Sequence, residues 1–433
     1  MAESLPSTSL VILGVTGDLS RRKLLPALAQ ICLSTDISAH LKILGVSRRQ
    51  TDISQILPAG AEHLSRQFSL LQLDYDQPED YQRLKDKLND IGSDQAIFYF
   101  AVPPEAAPVI VKQLGQAGLN SSKHKLLMEK PFGTDLASAK ELISQTDRYF
   151  KEDQVYRIDH FLAKEMAQNI AVFLGSNALF RDVWNNRFIE KIEIVAEESL
   201  GVANRGEFYE QTGALRDIVQ SHLLQLTALT IMEPCPDIFD FSMVRVRRLD
   251  ALRRLAIDHD QPAIKAQYRG YGPEVNNPDS ITETFASVYL KSSDPKWQGV
   301  PIQLTTGKAL ADKLTEIRIY FKKTQSAQAN LLKLRVQPME AIELELWVKK
   351  PGYDQDLQKL PLDFSYQQHF DRLPDAYEQV IVDAVRSRAN LFASSDEVLA
   401  SWEILQPLLS DWDKRQPEIY ESGSPVEQVL KNT

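Results

Sequence analysis

The first 155 or so residues alternate short apolar runs with stretches in which apolar residues recur at helical spacing. The apolar runs are LVILG (10–14), LKILGV (41–46), SLLQLD (69–74), QAIFYFAV (95–102) and HKLLME (124–129). Helical spacing follows between them, as in residues 18–33 and 79–91. Strand, helix and strand in this succession predict a Rossmann-type, doubly wound parallel sheet with helices on both faces.

Beyond about residue 190 the apolar positions recur every second residue. The runs with this period are residues 191–199, 284–292, 301–310, 316–323, 330–338 and 340–350. They predict a large, mostly antiparallel sheet with one face buried and helices on one face. Helical patterns are expected at 161–180, 214–232, 375–392 and 396–411, and a long surface loop at 260–282, which is rich in Pro, Gly and Asn.

The length of the chain, 433 residues, exceeds what one ordinary core supports, so two domains are expected. Residues 1–156 form an α/β, Rossmann-like domain in this prediction, and residues 157–433 form an α+β domain. The change from parallel-sheet to alternating patterns sets this boundary.

Composition and charge exclude several classes of function. A net charge of −10 argues against non-specific nucleic-acid binding, which needs a basic surface. No apolar run approaches the ~18 residues of a membrane span, and the first nine residues lack the features of a signal peptide. Cys32 and Cys235 have no CxxC partner, and the histidines form no HxH or HxxxH pair, so we expect a cytoplasmic protein without a metal.

Glycines follow the first apolar run, where the chain enters a helix. Gly14, Thr16 and Gly17 stand in a GxxG spacing, so the backbone can turn tightly and approach a pyrophosphate at the helix N-terminus. An ordinary strand-to-helix turn is the alternative.

The second apolar run is followed by Arg48 and Arg49 rather than by an acidic residue. This favours NADP over NAD, because arginines bind a 2′-phosphate.

The segment RIDHFLAKE (157–165) places an acid, a histidine and a lysine close together. In a helix, His160 and Lys164 would share one face and could bind a phosphate dianion. Asp159 would point elsewhere and could orient another group. A solvated helix that begins at an aspartate is the alternative interpretation of the same segment.

Eight segments in order resemble the glucose-6-phosphate dehydrogenase family. They are GVTGDLSRRKLLPAL (14–28), AVPP (101–104), MEKPFGTDL (128–136), RIDHFLAKEMAQN (157–169), RGEFYEQTGALRDIVQSHLLQL (205–226), GVPIQLTTGKAL (299–310), RVQPMEA (335–341) and LPDAYE (373–378). The resemblance implies oxidation of β-D-glucose 6-phosphate at C1 with transfer of hydride to NADP+, the first step of the oxidative pentose phosphate pathway. It also implies that the second domain binds substrate and forms a homodimer or tetramer.

The resemblance also implies roles for individual residues. His222 would be the general base, Asp159 would orient its imidazole, and Lys130 would touch both sugar and cofactor, with Pro131 a candidate cis proline. Substrate binding falls to His160, Lys164, Lys308 and Lys313 for the phosphate and to Glu198, Asp217 and Gln337 for the sugar hydroxyls. Cofactor binding falls to Gly14, Thr16, Gly17, Asp18, Leu19, Arg48 and Lys130, and no metal is implied.

Some positions depart from the family pattern. Phe161 and Ala163 stand where the family usually has Tyr and Gly, and Phe161 cannot donate a hydroxyl hydrogen bond to phosphate. We therefore expect a weaker affinity for the substrate phosphate. Ser221 and Glu210 replace the family's usual Asn and Asp, and a shorter chain predicts no second nucleotide site.

Three alternatives remain open from these residues alone. The enzyme could use NAD as well, since Thr16 and Arg48 resemble relatives that accept both nucleotides. Another hexose 6-phosphate or an unphosphorylated sugar could be the substrate, with Phe161 as the only support. A non-catalytic binding paralogue is the third alternative, although such proteins usually lose the base or the lysine.

Overall fold

A computed structural model describes residues 5–235, 241–323 and 328–432 of the chain. The described chain divides into two compact units. The first comprises the residues up to Ala163 together with Pro374–Val398, and the second comprises Lys164–Leu373 and the residues from Leu399 onward. No helix in the described ranges combines the length and the apolar character needed to span a membrane.

The strands of the described residues are numbered in chain order. They are β1 Thr8–Leu13, β2 Leu41–Ser47, β3 Phe68–Gln72, β4 Gln95–Phe100, β5 His124–Met128, β6 Val155–Ile158, β7 Ile189–Glu197, β8 Leu255–Ile257, β9 Ile264–Tyr268, β10 Phe285–Ser292, β11 Ile302–Gly307, β12 Leu314–Phe321, β13 Leu331–Gln337, β14 Ala341–Lys349, β15 Leu357–Ser365, β16 Phe392–Ala393 and β17 Glu418–Tyr420.

The helices of the same ranges are numbered likewise. They are α1 Leu25–Ser34, α2 Ile53–Ile56, α3 Pro78–Ile91, α4 Ala107–Gln116, α5 Leu136–Asp147, α6 Glu165–Ser176, α7 Ala178–Arg181, α8 Gly206–Ala214, α9 Leu224–Ile231, α10 Phe241–Arg253, α11 Tyr271–Glu274, α12 Tyr366–His369, α13 Ala376–Val385, α14 Ser395–Trp412 and α15 Val426–Asn432. Two stretches, Ser20–Leu24 and Leu215–Leu223, are π-helical.

The first unit is built on a sheet whose seven described strands run in the order β16–β6–β5–β4–β1–β2–β3. Strands β1 to β6 pair in parallel. Leu10 and Ile12 of β1 belong to the core on one side, and Val11 and Leu13 to the core on the other. Burial on both faces explains why β1 is an unbroken apolar run, and the predicted doubly wound parallel sheet is confirmed.

Residues near the carboxyl end of the chain return to this first unit. β16 adds an antiparallel edge strand beside β6, and the ring of Phe392 meets that of Tyr156 edge-on at 4.8 Å between centroids. α13 packs on α1. The sequence analysis placed these residues in the second domain, because two or three paired residues leave no readable strand pattern.

The second unit is built on a sheet in the order β15–β14–β13–β12–β7–β11–β10–β9–β17, with β8 also paired to β10, as far as the chain is described. Neighbours are antiparallel except for β7 with β11 and β9 with β17. In β13, Leu332, Leu334 and Val336 are fully buried while the residues between them are partly exposed. The predicted, mostly antiparallel sheet is therefore confirmed.

The prediction of a long surface loop at 260–282 is wrong in part. This stretch contains β9 and α11, and Ala266 and Tyr271 are completely buried. The prediction failed because turn residues at both ends of a five-residue strand outweighed its short apolar pattern. The helix expected at 161–180 begins only at Glu165 and is interrupted at Asn177.

Candidate active site

The loop after β1 is a tight turn that needs glycine at its first position. Gly14 has φ +87°, and a Cβ built on it would lie 2.3 Å from the carbonyl oxygen of Ala101. The amide groups of Gly14 and Val15 both donate to the carbonyl oxygen of Val46 at 3.0 Å, which holds the loop against β2. A bare backbone in this position permits the close approach that a pyrophosphate requires.

The remaining loop residues predicted to bind cofactor continue directly into the first helix. They are Thr16, Gly17, Asp18 and Leu19. Asp18 is exposed and pairs with Arg22 at 2.7 Å, one helical turn later. The structure therefore brings these loop residues together at the carboxyl end of β1, as the sequence analysis expected.

Arg48 and Arg49 follow the end of β2, at the same edge of the sheet as this loop. Both side chains are exposed. Arg48 lies near Tyr75, where burial raises the pKa of the phenol to about 12 and the charge of Arg48 opposes that rise in part. Two exposed guanidinium groups at this edge fit the requirements of a 2′-phosphate.

A partly buried carboxylate, that of Glu129, lies at the carboxyl ends of β4, β5 and β6. Glu129 Oε2 is 3.1 Å from His160 Nε2, and the hydroxyl of Tyr99 donates to Oε1 of the same group. Burial opposes ionisation, but the hydrogen bonds and charge of His160, Tyr99 and Lys130 outweigh it and hold the pKa of Glu129 below its usual value. The ring of Tyr377 lies 4.2 Å from that of His160, so this imidazole is firmly held.

Lys130 and Asp159 follow the neighbouring strands β5 and β6. The peptide bond between Lys130 and Pro131 is cis, as the sequence analysis suggested. Asp159 is 4% exposed, and its Oδ1 accepts hydrogen bonds from the amides of Phe161 at 2.8 Å and Leu162 at 3.4 Å. The carboxylate thereby caps the turn after β6 and is held in a defined position.

The prediction that His160 and Lys164 share one helical face is wrong. The residues between them form a turn, and α6 begins only at Glu165, after Lys164 in extended conformation (φ −72°, ψ 142°). The first turn of α6 is capped from a distance, because Glu340 Oε2 accepts the amide hydrogen of Met166. Burial raises the pKa of Glu340, and the nearby charge of Lys164 opposes that rise.

Asp217 and His222 both lie on the π-helix Leu215–Leu223 of the second unit. Residues five apart are hydrogen-bonded neighbours in a π-helix, so these two residues are separated by one turn. Their side chains are buried, with 7% and 4% exposure, and the π-helix packs on β7, β10 and β11. It starts after Gly213, whose φ is +62° and whose added Cβ would lie 2.3 Å from Glu283 Oε1.

An ion pair joins the ends of β7 and β11. Lys308 Nζ lies 2.6 Å from Glu198 Oε2 and 5.1 Å from the ring centre of Tyr209. Burial raises the pKa of the Tyr209 phenol well above its usual value, and the charges of Asp217 and Glu198 add to the rise. Three predicted substrate residues are thus gathered around one buried aromatic ring.

Gln337 and Lys313 lie at the same edge of this sheet. Gln337 Nε2 donates to Thr315 Oγ1 at 2.9 Å, and exposed Lys313 directly precedes β12. β12 starts where its antiparallel partners β7 and β13 end, and β11 ends beside β7. Four of the predicted substrate residues, Glu198, Lys308, Lys313 and Gln337, therefore lie at strand ends along one edge of the sheet.

The sequence analysis missed Glu129, Tyr209 and Glu340, although all three lie within the segments that carried the family resemblance. Their contacts with His160, Lys308 and Met166 become visible only in the folded chain. The pairing of Asp159 with His222 stays a prediction, because the two residues belong to different units. Within the described ranges, no three His, Cys, Asp or Glu side chains are grouped to hold a metal ion.

Both halves of the chain match the sequences of a known family. Residues 11–169 match the family described as glucose-6-phosphate dehydrogenase, NAD binding domain. Residues 171–431 match the family described as glucose-6-phosphate dehydrogenase, C-terminal domain. Together the two matches span most of the chain.

Individual relatives are similar over nearly their whole length. The glucose-6-phosphate 1-dehydrogenase of Bacillus subtilis is 36% identical, over 97% of this chain and 95% of the relative. Glucose-6-phosphate 1-dehydrogenase 5, cytoplasmic, of Arabidopsis thaliana is 34% identical, over 98% and 91%. A solved structure of a glucose-6-phosphate dehydrogenase in complex with its substrate glucose-6-phosphate has a TM-score of 0.91 and 32% identity, over 100% of this chain and 98% of that one.

Proposed function

This chain belongs to the glucose-6-phosphate dehydrogenase family, and we propose that it oxidises β-D-glucose 6-phosphate to 6-phosphogluconolactone with NADP+ as the hydride acceptor. The observation that carries the proposal is the family match over both halves of the chain. The residues of the proposed site, His222, Lys130 and Lys308 among them, are all present. A cytoplasmic location is proposed from the Arabidopsis relative.

We assign removal of the C1 hydroxyl proton to His222. An imidazole takes up a proton near neutral pH, which suits a base that acts as hydride leaves the same carbon. C1 then becomes the carbonyl carbon of the lactone. Burial of His222 on a packed π-helix restricts its orientation and limits water. Asp159 is proposed to orient the imidazole and stabilise its charged form.

Substrate recognition is assigned to two sets of residues. His160, Lys164, Lys308 and Lys313 would bind the 6-phosphate, and Glu198, Asp217 and Gln337 would bind sugar hydroxyls. Support comes from the gathering of Glu198, Lys308 and Asp217 around Tyr209. A set of polar groups positioned in advance rejects sugars that leave one of them without a hydrogen bond.

The nucleotide-binding residues fit a dinucleotide with a 2′-phosphate. The loop that begins at Gly14, where a Cβ would collide with Ala101, leaves room for a pyrophosphate. Arg48 and Arg49 follow β2, where a residue that binds the 2′-phosphate is needed. The bound nicotinamide would supply the hydride acceptor. Lys130 is proposed to contact both cofactor and sugar.

Replacing both Arg48 and Arg49 with serine should lower kcat/KM for NADP+ by at least about 10- to 100-fold, since even one charged hydrogen bond to the 2′-phosphate contributes roughly 1.5–3 kcal/mol. The value for NAD+ should change little, because NAD lacks the 2′-phosphate. Steady-state kinetics with each nucleotide measure the difference, and exposed Arg66→Ser serves as a control for the loss of a surface arginine elsewhere in the first unit. Equal losses with both nucleotides would contradict the assignment.

The activity itself is tested by mixing the pure protein with glucose 6-phosphate and each oxidised nucleotide. We expect near-ultraviolet absorbance of the reduced nucleotide to rise, faster with NADP+. Phe161 is the only support for the alternative that the enzyme oxidises another hexose 6-phosphate or an unphosphorylated sugar. A panel of sugars with and without the 6-phosphate separates that alternative from this proposal. No reduction with any sugar would favour a non-catalytic paralogue.

We also propose that the chain forms a homodimer through β14 and β15. Leu346 and Leu360 are directly paired across these strands, and with Leu362 they leave 36%, 43% and 66% of their surfaces exposed on one face. An apolar face of this kind is unfavourable in water and needs a cover. A tetramer would require a further surface in addition.

Replacing Leu360 and Leu362 with glutamate should shift the sedimentation coefficient from dimer to monomer, because two charges would be buried at the interface. Leu33→Glu is the matched control, since Leu33 is also 66% exposed but lies on α1 of the first unit. A double variant that sediments like the parent would rule out this face.

A further inference from the structure

A basic cavity lies at the amino-terminal edge of the parallel sheet, where β1, β4 and β5 begin. The opposite edge carries Gly14 of the proposed nucleotide-binding loop and Glu129, the hydrogen-bond partner of His160. The cavity has a volume of about 250 Å³, which is larger than the space of a single water molecule. Its polar lining includes Lys85, Lys123, His124, Asn89, Ser93 and Ser121, and no acidic residue lines it in the described chain.

One of the two lysines is held in place by the backbone around the cavity. Lys85 Nζ donates to the carbonyl oxygen of Ala117 at 2.9 Å, which uses one of its three N–H groups. The next residue, Gly118, has φ +73°, and a Cβ there would come within 3.3 Å of the ammonium. Lys85 is therefore a positioned donor rather than a freely moving surface lysine.

His124, the histidine that lines the cavity, has a neutral ring whose tautomer follows from its hydrogen bond. Nδ1 of His124 accepts a hydrogen bond from the amide of Ser121 at 3.1 Å, so the ring proton of the neutral form is on Nε2. Burial, together with the smaller effect of the charges of Lys123 and Lys85, lowers the pKa of His124 to about 4. The two lysines thus create a positive potential at this imidazole.

A positive potential that opposes protonation of a histidine also favours the binding of an anion. The protein as a whole carries a net charge of −10, so a cavity lined by two lysines and no acid is a local exception. Asp94 is an acid whose charge interacts with that of Lys123, but it does not line the cavity. Ammonium, hydroxyl and imidazole N–H groups are the donors that phosphate oxygens accept from. We propose that this cavity binds a phosphate anion, either inorganic phosphate or the phosphate group of a small metabolite, at a site separate from the active site.

The test follows His124 by NMR in protein labelled with ¹³C at histidine Cε1, with His124→Gln to assign the signal. Saturating inorganic phosphate should raise the pKa of His124 by roughly one to two, because a bound anion offsets the lysine charges. Glycerol 3-phosphate is added in parallel, with glycerol as the neutral control. Equal responses to both phosphates indicate that the phosphate group suffices, whereas a response at lower glycerol 3-phosphate concentration indicates a metabolite.

The double variant Lys85→Gln, Lys123→Gln provides the second measurement. Its His124 should already have a higher pKa without phosphate, and phosphate should no longer change it. Lys87→Gln on α3, whose side chain does not line the cavity, should respond like the parent. An unchanged His124 signal in the parent protein overturns the proposal whether or not the variant folds, and so does an equal response in the double variant.

Discussion

Replacing His222 with asparagine should lower kcat for oxidation of glucose 6-phosphate by about 10²–10⁴-fold, the contribution typical of a general base. Asparagine has a polar side chain of similar size but cannot take up the C1 hydroxyl proton. KM should change little, since substrate binding is assigned to other residues. The acidic limb of the pH profile of kcat/KM should also disappear, because it reports protonation of the base.

A matched control separates loss of the base from loss of a histidine in general. His63 is partly buried in the first unit, and its Nε2 lies 3.1 Å from the carbonyl oxygen of Ala29. His63→Asn should retain both kcat and the acidic limb. Turnover by the His222 variant at the parent rate would remove this residue from the mechanism.

Replacing Gly14 with alanine should reduce the free energy of unfolding of the first unit by roughly 2–5 kcal/mol and abolish nucleotide binding. A left-handed backbone costs an alanine about 1–2 kcal/mol, and overpacking against the carbonyl of Ala101 adds about 1–3 kcal/mol. The five tryptophans all lie in the second unit, so unfolding should be followed by circular dichroism rather than tryptophan fluorescence.

Gly60 offers a control that isolates the collision. Its φ is +86°, close to the +87° of Gly14, but no atom lies within 4 Å of an added Cβ. Gly60→Ala should therefore cost only the backbone strain, about 1–2 kcal/mol, and leave nucleotide binding intact. Equal losses in the two variants would show that close packing at the loop after β1 is unimportant.

The fold was predictable where the apolar pattern is long. β1 is buried on both faces and appears as an unbroken apolar run, and β13 alternates because one of its faces is less buried. Short or exposed strands were missed, such as β16 with two residues and the largely exposed β15. Their position depends on pairing with a neighbour, and that neighbour is distant in sequence or polar.

The candidate site was predictable as a set of residues but not as a set of contacts. The glycine at the start of the loop follows a local rule and agrees with the structure, and the cis bond before Pro131, a candidate from the family resemblance, is present. The prediction that His160 and Lys164 share a helical face disagrees with the structure, because a turn capped by Asp159 precedes α6. Glu129 was overlooked, since nothing local indicates that its carboxylate meets His160.

The sequence by itself determined the two kinds of sheet, the glycine at the start of the loop after β1, and a set of candidate side chains for the site. These properties depend on residue type and on spacing along a few neighbouring positions. Only the tertiary structure decided that Glu129 holds His160, that Lys308 pairs with Glu198 over Tyr209, and that Asp217 and His222 share a π-helix. Contacts such as that between Lys308 and Glu198, which are 110 positions apart, depend on strand order and burial and cannot be read from local patterns.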